Sequence, residues 1–253
     1  MKHAIIIPTK NDFKLIKNVI ESIVKFTKEI DYTIFVIDTG SNDDILNSTK
    51  KLCKKHKCEL LLYNWYQFGK LNNEVAYNLP KEYQKLFFVN NDVVLVEDTL
   101  SLLSKVLDEK NIGTVGCKLL FENKKIQHAG MCVVNKAKVH FSHRGLNQDS
   151  DLFSNQEKVI GNTAALLGIN RETFNRIGGF DETTIDCYDD VILNLKCLIL
   201  DLDNVYCGQT WAYHLESQTR KKEDDKSKKM ISDLANVLVP FVQNNRNRLN
   251  KWI

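Results

Sequence analysis

The sequence predicts an α/β fold built on a mostly parallel central sheet with helices on both faces. Three observations predict it. Short runs such as Ala4-Ile5-Ile6-Ile7, Thr33-Ile34-Phe35-Val36-Ile37 and Leu86-Phe87-Phe88-Val89 are almost wholly apolar, as strands covered on both faces are. Amphipathic helical patterns alternate with these runs. Polar clusters follow the runs, and open α/β sheets bind their ligands beyond the carboxyl ends of their strands.

The first strand, residues 4–7, is stopped by Pro8. Phe13, Ile16, Val19, Ile20, Ile23 and Val24 then repeat at helical spacing, with Asp12 near the start. The second strand ends at Asp38-Thr39-Gly40-Ser41-Asn42-Asp43, and Ile45, Leu46 and Leu52 mark another helix. A third strand is expected over Glu59 to Tyr63 and a helix from about Leu71 to Leu79. The strand 86–89 delivers Asn90-Asn91-Asp92 before an apolar run resumes at Val93. Leu100, Leu103, Val106 and Leu107 give a helix, and Val115 to Leu119 a strand.

The rhythm changes after Lys118. Phe121 to Val134 reads as a hairpin around Asn123-Lys124-Lys125, and the polar residues 135–158 read as a loop or flap. Ala164 to Ile169 is a strand, and Asn170 can cap a helix that Gly178-Gly179 ends. Val191 to Leu200 is helical, and Trp211 to Ser217 places a histidine after a short apolar strand. Met230, Ile231, Leu234, Val237, Leu238, Phe241 and Val242 form a last helical stripe, which Pro240 should kink or split.

The chain has 253 residues, 43% hydrophobic and 26% charged, with a formal net charge of +3. This suits a globular protein and gives no basic stripe for nucleic acid. Seven cysteines without a CxxC pair suggest thiols in a reducing cytosol rather than a zinc site. The amino terminus runs straight into a strand without a signal peptide, and no apolar run approaches the ~20 residues of a membrane span. There is no GxGxxG after the first strand, no GxxxxGK[ST] and no GxSxG.

Several polar residues admit both a chemical and a structural reading. Asp92, flanked by amides, could hold a divalent cation and the phosphates it neutralises, or simply close a turn. Asp38 could accept a hydrogen bond from a base or ribose, or sit as a turn acid beside Gly40. Lys70, near a helix start, could contact phosphate or be solvated. Asp189 and Asp190 open an apolar helix; they could complement its dipole, or one could serve as a general base. His214 could be structural or a metal ligand.

These segments resemble, in order over about residues 4–219, the inverting family 2 glycosyltransferases with the GT-A fold. The matching segments are Ile-Ile-Ile-Pro-Thr-Lys-Asn; Val-Ile-Asp-Thr-Gly-Ser-Asn-Asp; Phe68 to Asn73 with Phe-Val-Asn-Asn-Asp; Val-Gly-Cys-Lys-Leu-Leu-Phe with Ile126-Gln127-His128-Ala129-Gly130; and Gly-Gly-Phe-Asp-Glu with Tyr-Asp-Asp-Val and Tyr-His-Leu-Glu-Ser. The Asn-Asn-Asp form resembles the branch that includes rhamnosyl and other sugar transferases of bacterial surface polysaccharides.

The resemblance implies that Pro8, Thr9 and Asp38 hold the nucleoside, and that Lys70 and Asn73 lie by the base or diphosphate. It implies that Asn90, Asn91 and Asp92 form the metal motif, with Asp92 a direct ligand to manganese or magnesium and His214 completing the site. It makes Asp190 the base that deprotonates the acceptor, with Asp189 beside it. Residues 136–158 fall where family members often bind acceptor. Thr163-Ala164 matches a Thr-Gly pair near the acceptor; the departures are Ala164 for that Gly, Asp189 for a more usual Glu, and Asn90 for the first acid of the metal motif.

The expected activity is metal-dependent, inverting transfer of a hexosyl or deoxyhexosyl unit. The donor is a nucleotide-diphosphate sugar, and the acceptor is a hydroxyl of a glycan or lipid-linked saccharide. The alternative is a non-catalytic nucleotide-sugar-binding domain of the same fold. A nucleotidyltransferase would want a glycine- and basic-rich phosphate loop near the first strand, where only Lys10 stands. The expected organisation is a glycosyltransferase domain over 1–219, with a nucleotide-binding half (1–118) and an acceptor half (119–219), and a basic helical tail over 220–253. That tail suits packing on the domain, pairing in a homodimer, or peripheral contact with the inner face of the membrane from a cytoplasmic protein.

Overall fold

The structure is a computed structural model that describes residues 1–135, 140–184, 187–215, 230 and 232–252. The basic run 220–229, with Glu216 and Ser217 of the last motif, lies outside the described residues.

Residues 1–120 fold as the apolar periodicity predicts. β1 (Lys2–Thr9), β2 (Asp31–Asp38), β3 (Glu59–Leu62) and β4 (Tyr83–Val89) alternate with α1 (Phe13–Phe26), α2 (Asp43–His56) and α3 (Phe68–Asn78). Asp12 caps α1 by accepting from Leu15 N at 2.9 Å, and Asn42 caps α2 by accepting from Ile45 N at 3.0 Å. α3 begins three residues before Leu71, and Gln67 opens it without a side-chain cap, so the sequence carries no capping signal there. β5 (Val93–Leu95), α4 (Thr99–Val106) and β6 (Ile112–Leu120) follow.

The main sheet runs β10-β12-β6-β11-β4-β1-β2-β3, where β10 is Gln156–Val159, β11 Leu166–Asn170 and β12 Asp203–His214. The stretch β4-β1-β2-β3 is parallel throughout, as is the β6-β12 pair. β11 runs antiparallel to both β4 and β6 and joins these two parallel blocks. Side-chain alternation along β1 sends Ile5 and Ile7 to the core under α1, and Ala4 and Ile6 to the core under α3.

The second half corrects two expectations. The hairpin after Lys118 ends at β7 (Ile126–His128), which pairs with β6; Gly130, with φ near +91°, redirects the chain. β8 (Met131–Asn135) then pairs with β9 (His140–His143) as a separate ribbon. Residues 135–158 are therefore not one loop: they contain β9 and most of β10, an edge strand whose polar Gln156, Glu157 and Lys158 hide its role. Residues 136–139 lie outside the described residues.

α5 (Arg171–Arg176) follows Asn170, whose side chain donates to Leu107 O instead of capping the helix. α6 (Asp189–Ile199) is apolar on nearly every side. Leu238, Val242 and Leu249 of the carboxyl-terminal segment pack with its Val191, Ile192, Leu195 and Leu198. Pro240 falls in the first turn of helix Val239–Asn244, just after a π-helical turn at Leu234–Leu238.

Candidate active site

Register brings the first polar groups together. Thr9 pairs with Asp38 at the carboxyl ends of β1 and β2, and Pro8 with Ile37. Thr39 is held by two bonds to Thr9 O, from its N at 3.0 Å and its Oγ1 at 3.2 Å. Asp38 is only 2% exposed. Its Oδ1 accepts from Gly40 N (3.0 Å) and Ser41 N (2.8 Å). Its Oδ2 is buried with no hydrogen-bond partner among the described residues. A carboxylate oxygen so placed is costly unless something donates to it, and a nucleoside N–H or O–H could.

β4 carries the next group to the same edge. Asn90 N donates to Ala165 O at 2.9 Å, and Asn91 Nδ2 donates to Thr9 Oγ1 at 3.1 Å. The Asn-Asn-Asp segment is thus tied to β11 on one side and β1 on the other. Antiparallel pairing of β5 with β12 sets His214 against Val93, and Leu215 N donates to Asp92 O at 3.0 Å. This pairing places His214 Nε2 at 3.1 Å from Asp92 Oδ1.

Asp92 is 7% exposed, and its Oδ1 has no hydrogen-bond partner among the described residues. On its other side, His214 Nδ1 lies 2.6 Å from Gln127 Oε1, so Nδ1–H donates to the amide oxygen. In the neutral ring with Nδ1–H, Nε2 carries a lone pair, with Asn90 Nδ2 at 3.5 Å. In that tautomer a carboxylate oxygen and an imidazole nitrogen lie 3.1 Å apart without a proton between them.

The second carboxylate group sits across β11. Tyr188, with φ near +68°, precedes α6 and presents Asp189 and Asp190 in its first turn. Asp190 Oδ2 accepts from Ala164 N (3.1 Å) and Oδ1 from Val191 N (2.8 Å). It is half-buried, which leaves an open side to the carboxylate. Asp189 is buried and accepts from Thr184 Oγ1 at 2.6 Å. Burial, reinforced by the neighbouring Asp190, raises its carboxyl to about 7. The two adjacent acids thus have unlike environments.

Thr163-Ala164-Ala165 joins these groups: Thr163 N donates to His128 Nε2 at 3.3 Å, Ala164 N to Asp190, and Ala165 O accepts from Asn90. Burial, with His143, Arg144 and His214 nearby, pushes the His128 imidazole well below its usual range, so it is a neutral acceptor.

Two expected site residues have other surroundings. Asn73 is buried with its amide taken up by the Gly-Gly-Phe-Asp-Glu loop: Nδ2 donates to Phe180 O (3.0 Å) and Glu182 Oε1 (2.9 Å), and Oδ1 accepts from Phe180 N (2.9 Å). A Cβ on Gly179 would collide with that amide. Lys70 is exposed, its Nζ 5.5 Å from the Trp65 ring centroid. Gln127, His128 and Thr163 to Ala165 are hydrogen-bonded to these candidate groups although composition and spacing gave them no role. The available signal was a glutamine and a histidine set between the apolar Ile126 and Ala129.

A mixed sheet with a parallel β4-β1-β2-β3 block, polar residues along its strand ends and an acid-bearing helix across that edge is the architecture of a GT-A glycosyltransferase fold. Residues 4–177 match the family described as Glycosyl transferase family 2, and the chain belongs to that family. A curated relative, the O-antigen biosynthesis protein RfbC of Myxococcus xanthus, is 30% identical over 88% of this chain and 18% of its own length. The uncharacterized protein y4gI of Sinorhizobium fredii (strain NBRC 101917 / NGR234) is 29% identical over 89% of this chain and 26% of its own length. The chain therefore spans about a quarter or less of these relatives. Among solved structures, GalNAc-T7 with UDP, GalNAc and Mn2+ superposes with a TM-score of 0.75 at 12% identity, over 96% of this chain and 48% of that one. S. aureus TarS 1–349 gives 0.66 at 16% identity, over 96% and 66%.

Proposed function

We propose that the chain is a metal-dependent inverting glycosyltransferase. It would move a hexosyl or deoxyhexosyl unit from a nucleotide-diphosphate sugar to a hydroxyl of a glycan or lipid-linked saccharide, in surface polysaccharide or glycoconjugate synthesis. The observation that carries this reading is the approach of Asp92 Oδ1 and His214 Nε2 to 3.1 Å, with Asp190 held by Ala164 N, one residue before the Ala165 carbonyl that holds Asn90 N. The name of the Myxococcus relative supports the glycan context, and the UDP and Mn2+ bound to GalNAc-T7 support the donor and cofactor classes.

The residues fit a divalent cation. A hard carboxylate oxygen and an imidazole nitrogen suit manganese or magnesium, and the orphaned Asp92 Oδ1 needs a positive partner. Among the described residues no group of three or more His, Cys, Asp or Glu is placed to hold a metal, so donor phosphates would complete the shell. When bound, the cation stabilises charge growing on the diphosphate as the glycosidic bond breaks.

The chain's own residues do the rest. Asp38 Oδ2 accepts from the nucleoside, Pro8 and Thr9 fix the β1 end beside it, and Asn91 locks that end to the metal motif through Thr9. Asn90 supplies a neutral amide next to His214. Lys70, exposed beside Trp65, would add a cationic contact to the donor, whereas Asn73 acts at a distance by holding the 179–182 loop. Two backbone N–H groups aim Asp190, which takes the proton from the acceptor hydroxyl. The new C–O bond forms as the C–O bond to phosphate breaks and the nucleoside diphosphate leaves. Attack from the face opposite the leaving group inverts the anomeric centre.

Residues 1–118 serve as the nucleotide half and 119–219 as the acceptor half, with 220–253 a tail. Among the described residues no helix is long and apolar enough to cross a membrane. The seven cysteines are free thiols, and the location we propose is cytoplasmic. The basic run at 220–229 is the candidate for contact with an anionic membrane face or a second copy.

The test is Asp190→Asn, expected to lower transfer at least 10³-fold while nucleotide-sugar affinity stays within about threefold. Normal turnover would remove the base assignment. In parallel, Asp92→Ala should abolish the manganese-dependent part of nucleotide binding in calorimetry. Unchanged affinity with manganese present would remove the metal assignment.

A further inference from the structure

We propose that Gln127 is a positioning residue for His214: it fixes the imidazole as the Nδ1–H tautomer, so that Nε2 is a bare lone pair directed at the cation. The inference rests on the metal reading above. It assigns a task to the β7 segment, which the chemistry proposed so far leaves unused.

The local physics favours a specific task. β7 is buried along its length, and Gln127 is 5% exposed. A buried amide in a short strand beside Ile126 and Ala129 lowers stability unless its polar atoms are matched. Its Oε1 takes the His214 Nδ1–H at 2.6 Å. The amide oxygen can only accept, so it selects the tautomer in which Nδ1 carries the proton. Without it, the proton would move to Nε2, where Asp92 Oδ1 lies 3.1 Å away and has no hydrogen-bond partner among the described residues. The ring would then satisfy Asp92 itself and compete with the cation for both ligands.

Alternation along the strand gives the neighbouring residue a parallel role on the other side. His128 Nε2 accepts from Thr163 N, and the next residue, Ala164, donates to Asp190. Two consecutive side chains of β7 thus brace the metal end and the base end of one site. Partners that orient a metal-bound histidine through its second nitrogen are a general feature of metal sites, and their loss lowers metal affinity by about 10–100-fold.

The experiment has two readouts. In metal-free protein at pH 8, ring ¹⁵N chemical shifts of His214 should report the Nδ1–H tautomer in wild type. They should report Nε2–H in Gln127→Leu, and Nδ1–H again in Gln127→Glu, whose carboxylate restores the acceptor. Mn2+ binding, followed by water-proton relaxation with the metal alone, should weaken about 10–100-fold in Gln127→Leu and stay within about threefold in Gln127→Glu. A wild-type Nε2–H tautomer overturns the proposal even if Gln127→Leu does not fold. So does Mn2+ affinity in Gln127→Leu equal to that of wild type. His214→Ala separates the two claims: if Mn2+ binding is unchanged there, the metal reading fails, while the tautomer measurement still decides the role of Gln127.

Discussion

The two halves of the sheet position their site residues by different means. In the β4-β1-β2-β3 block, Thr9, Asp38 and Asn90 stand where parallel apolar strands end, and mostly backbone groups hold them. Around β6, β11, β12 and α6, the site hangs on buried polar side chains. Asn194 alone accepts from Thr114 Oγ1 (2.6 Å) and Asn162 N (3.0 Å), and donates to Asn162 O (2.8 Å) and Asp190 O (2.6 Å). A site residue in the first block should therefore be separable from folding, whereas one in the second should not.

Asp189 puts the largest strain on that comparison. Burial first, with Asp190 and Asp233 adding, raises its carboxyl to about 7, against about 3.9 in an unfolded chain. Between those values the unfolded chain has lost the proton and the folded chain keeps it. Stability therefore falls as pH rises from about 4 to about 7 and is level in this respect above that. A shift of about three units corresponds to about 4 kcal/mol. Asp189→Asn keeps an acceptor for Thr184 and removes the ionisation. It should match wild type near pH 4 and exceed it by up to about 4 kcal/mol at pH 8 in urea unfolding. Parallel stability profiles for the two proteins over that range would show that Asp189 ionises freely in the fold.

Asn194→Ala is the next step down. It leaves Thr114, Asn162 and the Asp190 carbonyl short of partners inside the core, at a cost of about 3 kcal/mol. Loss of a methyl from the first block, as in Ile6→Val, should cost about 1 kcal/mol. Equal denaturation midpoints for the two variants would erase the contrast between a polar-braced and an apolar-packed half.

The same contrast explains what the sequence made legible. Strands such as 4–7 and 86–89 announce themselves because both faces are apolar, and the polar residues that stop them are the candidate site residues. In the second half, the informative residues are polar ones that are buried. Asn162, Asn194 and Gln127 look like ordinary surface or turn residues until the fold surrounds them. β10 was hidden by its polar edge position, and the β8-β9 ribbon by Gly130, which redirects the chain out of the first hairpin. Asn73 has a loop-tying role because its partner segment, 179–182, lies over a hundred residues away, beyond any local pattern.

Asp38→Asn is the smallest perturbation and the cleanest test of separability. The amide oxygen can still accept from Gly40 N and Ser41 N, so the turn after β2 keeps its shape. The atom that changes is the orphaned Oδ2, which becomes an NH₂ group and turns an acceptor into a donor facing the nucleoside's own donors. Affinity for a nucleoside diphosphate should drop about tenfold, or about 1.4 kcal/mol. The unfolding midpoint should stay level or rise slightly, because a buried unpaired carboxylate oxygen has been removed. Calorimetry and thermal unfolding on the same sample decide it. If stability collapses together with binding, the first block is braced by side chains like the second. If affinity is unchanged, Oδ2 does not face the donor, and the nucleoside must be held by backbone groups of β1 and β2 alone.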